Sequence, residues 1–94
     1  LNELTVINHN GQLLIDSREV ARITDKDHSN LMRDIRGYID ILDTPDSNLK
    51  AANFFIESTY MDRQNQERRC YLLTRKGCDM VANKMTGEKG GEMI

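Results

Sequence analysis

Apolar residues recur along this chain with two different periods, and the alternation between them outlines the fold. Two short apolar runs, residues 4–7 and 13–15, flank Asn8, His9, Asn10 and Gly11. Asn10 and Gly11 both tolerate positive φ, so this stretch predicts a β-hairpin. Asp16 or Ser17 then caps a helix over residues 17–23, with Val20 and Ile23 turned inward. Residues 24–27 are polar and predict a tight turn. Between His28 and Leu42, the residues Leu31, Ile35, Tyr38, Ile39 and Leu42 fall at helical spacing and predict a second, longer amphipathic helix. Gly37 inside it weakens that helix by roughly 1 kcal/mol relative to Ala.

The second half of the chain changes period. Residues 43–48 read as a loop around the single proline, Pro45, and residues 49–53 as a short helical turn. Residues 54–61 are strand-like. Phe55, Glu57 and Thr59 share one face and Phe54, Ile56, Ser58 and Tyr60 the other. A polar turn over 62–67 leads to a returning strand over 68–73. Thr74 is the expected N-cap of a last helix over 75–86, with Cys78, Val81, Ala82 and Met85 as its buried stripe. Gly87 is expected to stop that helix in a left-handed cap, leaving a flexible tail over 88–94. The core is expected to hold Leu31, Ile35, Tyr71, Leu72 and Val81. The fold class is therefore α+β in one domain, 1–94: an N-terminal hairpin, two helices, a second hairpin and a C-terminal helix.

Composition narrows the function classes. With 94 residues, 38% of them hydrophobic and 30% charged, the chain has the balance of a small folded domain rather than a disordered one. So short a chain buries a modest core, which makes a homodimer a reasonable expectation. No apolar run is long enough to span a membrane and no signal-peptide pattern appears, so a cytoplasmic location is expected. Cys70 and Cys78 make no disulfide framework and read as small thiols in a reducing compartment. Together with His9 and His28 they show no metal-ligand spacing, so no metal and no cofactor is expected. His28 lies beside Asp27 and Ser29, but neighbours in sequence do not face each other on a helix. It reads as a first-turn surface or capping residue. Glycines 87, 90 and 91 follow a helix instead of opening one, so no phosphate-cradling loop appears. No set of side chains meets the requirements for catalysis, and no enzyme is expected.

Charge distribution says more than the net value of −2. Residues 60–77 hold Arg63, Arg68, Arg69, Arg75 and Lys76 against Asp62 and Glu67. Residues 37–59 hold Lys50 against Asp40, Asp43, Asp46 and Glu57. Two short helices joined by a polar turn, then a hairpin with a basic tip, describe a winged helix-turn-helix. Such a domain sets its second helix in the major groove of double-stranded DNA and lays the wing on the adjacent backbone. The second helix would present Ser29, Asn30, Arg33 and Arg36, away from its apolar stripe. The wing would present Arg63, Arg68 and Arg69, with Gln64 and Asn65 between them. Arg can read guanine with two hydrogen bonds, and each wing cation can contact a phosphate. The rival reading is a protein-interaction module acting on another regulatory protein. Its contact would be the acidic middle of the chain, anchored by Tyr38 or Tyr60.

The run YLLTRKGCDMVANKMTGEKG at residues 71–90 resembles the signature of the Rha family of temperate-phage regulatory proteins. DSREVA at 16–21, HSNLMRDIR at 28–36 and FFIESTY at 54–60 resemble the same family in the same order, so the likeness covers the chain from about residue 4 to 90. The resemblance implies a small phage- or prophage-encoded regulator that binds DNA, without assigning contact residues position by position. Members often continue with further helical sequence beyond the point where this chain ends, at Ile94. This chain is therefore read as a minimal binding domain.

Overall fold

Asn10 (φ 55°) and Gly11 (φ 82°) turn the chain back on itself, and the Gly11 N–H donates to Oδ1 of Asn8 across the turn at 3.1 Å. This closes the first hairpin, β1 (Val6–His9) against β2 (Gln12–Asp16). The computed structural model describes residues 6–45 and 50–90. The expected first strand positions 4 and 5, the loop positions 46–49 and the tail positions 91–94 lie outside them. After β2 come α1 (Ser17–Thr24), α2 (His28–Leu42), a short 3-10 turn (Ala51–Asn53), β3 (Phe55–Met61), β4 (Glu67–Leu73) and α3 (Arg75–Gly90). The four strands form one antiparallel sheet in the order β1-β2-β4-β3.

Asp16 ends β2 and starts α1 at once, its carboxylate accepting the Arg18 N–H at 2.8 Å. The helix buries Ser17, Val20 and Ala21, while Ile23 is 49% exposed. The expectation for Ile23 fails because Ser17, Val20, Ala21 and Thr24 already form a stripe at i, i+3, i+4 and i+7. Ile23 lies about 100° of helical rotation from the middle of that stripe. Asp25, with φ 57°, closes the helix, and Lys26 N–H donates to the Ala21 carbonyl at 2.9 Å. The polar turn is therefore only three residues long, which fixes α2 close against α1.

Leu31, Met32, Ile35 and Leu42 of α2 are buried, with Tyr38 and Ile39 packed at the edge of the core. Tyr38 stacks on Phe55 at 6.2 Å between ring centroids, and Phe55 meets the edge of Tyr71 at 6.5 Å. Tyr71 and Leu73 face this cluster. Leu72 does not, and it is only half-buried. Adjacent strand residues point to opposite faces, so Tyr71 and Leu72 cannot both enter one core.

Thr74 caps α3 as expected. Its hydroxyl accepts the Gly77 N–H at 3.2 Å and donates to the Asn53 carbonyl at 2.7 Å. A Cβ on Gly77 would lie 2.2 Å from the Phe54 carbonyl oxygen, so this glycine is what lets α3 approach the backbone before β3. That approach turns Gly77 and Val81 inward with Cys78 half-buried, and it leaves Ala82 exposed, outside the expected stripe. The helix also runs through Gly87 to Gly90. A mid-helix glycine costs about 1 kcal/mol but need not end a helix.

Candidate nucleic-acid interface

Two elements carry the residues expected to meet DNA, and sheet geometry decides which of them stand together. The β3–β4 hairpin pairs without interruption from Phe55 opposite Leu73 to Met61 opposite Glu67. Asp62 builds its turn. One carboxylate oxygen accepts the N–H groups of Gln64 (2.8 Å) and Gln66 (2.9 Å), and the other accepts Arg68 Nε at 2.8 Å. Asn65 takes a left-handed conformation, φ 62°. The Arg68 hydrogen bond holds the Asp62 carboxyl below its ordinary range.

Arg68 and Arg69 are neighbours on β4 and therefore point to opposite faces of the sheet. Arg68 turns back to Asp62. Arg69 stands beside Thr59 on the other face and lines an open groove of about 370 Å³ between the hairpin and α2. Arg36 of α2 lines the same groove, with Met32, Glu57, Ser58 and Tyr71. Burial raises the Tyr71 hydroxyl above its ordinary pKa, and the Glu57 carboxylate adds to this while Arg36 and Arg69 oppose it. The hydroxyl thus senses both guanidinium groups and two carboxylates, those of Glu57 and Asp40. Arg33 and Asn30 are exposed on α2, and Arg63 is exposed in the hairpin turn. Ser29 is exposed too, with its hydroxyl donating to the Asp27 carboxylate at the start of α2. Among the described residues no ion pair engages Arg33, Arg36, Arg63 or Arg69, whereas Arg18, Arg22, Lys26 and Arg68 are each paired to a carboxylate.

A second cluster lies where β2 meets the helices. Ser17 Oγ is 2.9 Å from His28 Nε2 and accepts the Tyr71 N–H at 3.0 Å. His28 is therefore a half-buried tie between helices, not a surface capping residue. Arg18 lies 3.8 Å from the Tyr60 ring centroid and makes two hydrogen bonds to the Asp16 carboxylate, at 2.8 and 3.0 Å. Burial tends to raise the Asp16 pKa, but the bonds from Arg18 outweigh it and hold the carboxyl low. Burial pushes the Cys70 thiol up, with Asp16 3.7 Å away adding to the effect, so Cys70 stays protonated at neutral pH. Cys70 and Cys78 are free thiols. The sequence reading missed Arg18 and Tyr60 as partners. It also missed Glu57 as a neighbour of Arg69, although the period-two alternation of the two strands already placed both on one face.

Among the described residues no helix is long and apolar enough to cross a membrane. The sequence matches the family described as phage regulatory protein Rha over residues 15–93. It is 56% identical over 87 residues to the SPbeta prophage-derived putative antirepressor protein YoqD of Bacillus subtilis (strain 168). That alignment covers 93% of this chain and 34% of the relative, so the chain spans about a third of the relative's length. No solved structure matches. The chain belongs to the Rha family of phage regulatory proteins.

Proposed function

We propose that this domain serves prophage regulation by binding double-stranded DNA as a winged helix-turn-helix. In this reading α2 enters the major groove and the β3–β4 hairpin lies as a wing on the neighbouring phosphates. The observation that carries it is the shared groove of Arg36 and Arg69: two arginines from the two elements line one open groove, and among the described residues neither is in an ion pair. Arg33 and Asn30, exposed on α2, are the side chains that would read base edges. Arg63 is a phosphate contact, and Arg68, held by Asp62, is the weakest of the set. The chemistry is non-enzymatic. Selecting bound duplexes from sheared phage and host DNA tests the division of labour. Arg33→Ala should relax the sequence preference, and Arg63→Gln should weaken all duplexes alike. A preference untouched by Arg33→Ala would remove α2 from base recognition.

A second reading, a module that binds a phage or host regulator, draws on Ile41. This residue is 65% exposed on the outer side of α2 beside exposed Asp40. The relative's name as an antirepressor points the same way. Ile41→Asp should abolish capture of such a regulator and spare DNA binding. The opposite outcome would favour the DNA reading alone.

A further inference from the structure

Among the described residues the outer edge of β3 is unpaired, and its residue order suits antiparallel pairing with a second copy of the same chain. Among the described residues β3 pairs only with β4, so its other side presents free backbone N–H and C=O groups over seven residues. Natural sheet edges are usually blunted by proline, lysine, a bulge or shortness. β3 has none of these: its register against β4 is unbroken, and Glu57 is its only charged residue. The opposite edge, β1, counts four residues among those described.

We infer that two copies join antiparallel along β3 about a two-fold axis at Ser58. In that register Glu57 meets the partner's Thr59, Ile56 meets the partner's Tyr60, and Phe55 meets the partner's Met61. Charge selects it. A two-fold at Glu57 would set carboxylate against carboxylate. A two-fold at Thr59 would set Glu57 against the partner's Met61, whose β4 neighbour is Glu67. With the axis at Ser58, Arg69 lies behind Thr59 on the same face, and the partner's Glu57 lies in front of it. Strands are about 4.8 Å apart, so the two Cα atoms are roughly 10 Å from each other, within reach of an Arg–Glu pair over the small threonine. The symmetry makes that pair twice. The pairing would also cover Met61, which is 56% exposed. This inference goes beyond the DNA reading and does not rest on it, since the test contains no nucleic acid.

The test is sedimentation equilibrium of the 94-residue chain over a wide concentration range. A reversible monomer–dimer equilibrium is expected. Glu57→Lys sets like charges over each threonine and should raise the dissociation constant roughly tenfold or more. Thr59→Asp sets a carboxylate against the partner's Glu57 and should do the same. Both substitutions lie on exposed strand positions, and circular dichroism checks that each variant is folded. Combining Glu57→Lys with Arg69→Glu restores opposite charges across the axis and should recover most of the lost affinity. A chain that stays monomeric at every concentration would overturn the inference. So would a dimer indifferent to Glu57→Lys and Thr59→Asp, or a charge-swapped double variant no better than Glu57→Lys.

Discussion

The hydroxyl of Ser17 lies 2.9 Å from Nε2 of His28, and this contact joins the first turns of α1 and α2. The same oxygen accepts the Tyr71 N–H at 3.0 Å and stands 3.7 Å from Met32 Sδ. β2 pairs with β4 through Ile15–Leu73 and Asp16–Leu72. At the next position the backbone is already helical, so the Ser17 side chain takes the place of a ladder acceptor. Ser17 is fully buried. Ser17→Ala should leave a buried N–H without a partner and cost roughly 1–3 kcal/mol. The reading is a lower urea midpoint at an unchanged slope. An unmoved midpoint would show that the hydroxyl does not hold the joint.

Stability should fall in two steps as pH is lowered. Burial holds His28 below its ordinary pKa of 6.5, with Arg18 acting in the same direction and Asp16 and Asp27 opposing. The folded protein therefore favours the neutral ring, and the unfolded chain binds the proton first. Stability is complete above pH 6.5, declines below it, and stops declining once the folded ring is protonated too. The second step comes below the ordinary carboxylate value of 3.8, where Asp16 and Asp62 lose the charges that their arginine partners favour. His28→Gln should erase the first step and keep the second. Denaturation midpoints measured from pH 8 to 3 check it, and a first step that survives in His28→Gln belongs to another group.

Two glycines should respond to alanine with opposite sign. Gly37 has open space where a Cβ would go and sits inside α2, so Gly37→Ala should stabilise by about 0.4–1 kcal/mol. Gly77→Ala would drive a methyl group against the Phe54 carbonyl and should destabilise by about 1–3 kcal/mol. Thermal midpoints of the two variants, read side by side, settle the sign.

Leu31 is 1% exposed and makes the core with Ile35 and Val81. Leu31→Ala should cost about 2–5 kcal/mol, enough to unfold much of so small a domain. Leu72→Ala should cost less, because that side chain is half-buried on the opposite face of β4. Equal losses in the two variants would mean that the second face is as tightly packed as the first.

These cases show what the pattern could and could not reveal. The Asn10-Gly11 turn, the α2 stripe and the Thr74 cap are local signals, and each appears in the structure where its residues stand. Ile23 and Ala82 depart from the pattern for a different reason. Each lies at the rim of a helical stripe, and the rim is set by how neighbouring elements dock, which local spacing does not encode. The close contact of Gly77 with Phe54 is such a docking fact. At the candidate interface, the residue types were legible but the pairing was not. Asp62 is six residues from Arg68, and only the hairpin turn brings them to 2.8 Å. The meeting of Arg36 with Arg69 likewise depends on how α2 lies across the sheet.

The most direct measurement of the DNA reading is the affinity for a labelled duplex as a function of salt, in the parent chain and in Arg36→Gln combined with Arg69→Gln. Log affinity should fall steeply and linearly with log salt for the parent. In the double variant binding should weaken at every salt concentration, and the slope should flatten by roughly 0.9 for each lost phosphate contact. The helical signal and thermal midpoint should stay nearly unchanged, since both side chains are exposed. A parent chain without measurable affinity for duplex DNA, or a double variant with the parent's slope, would contradict the account.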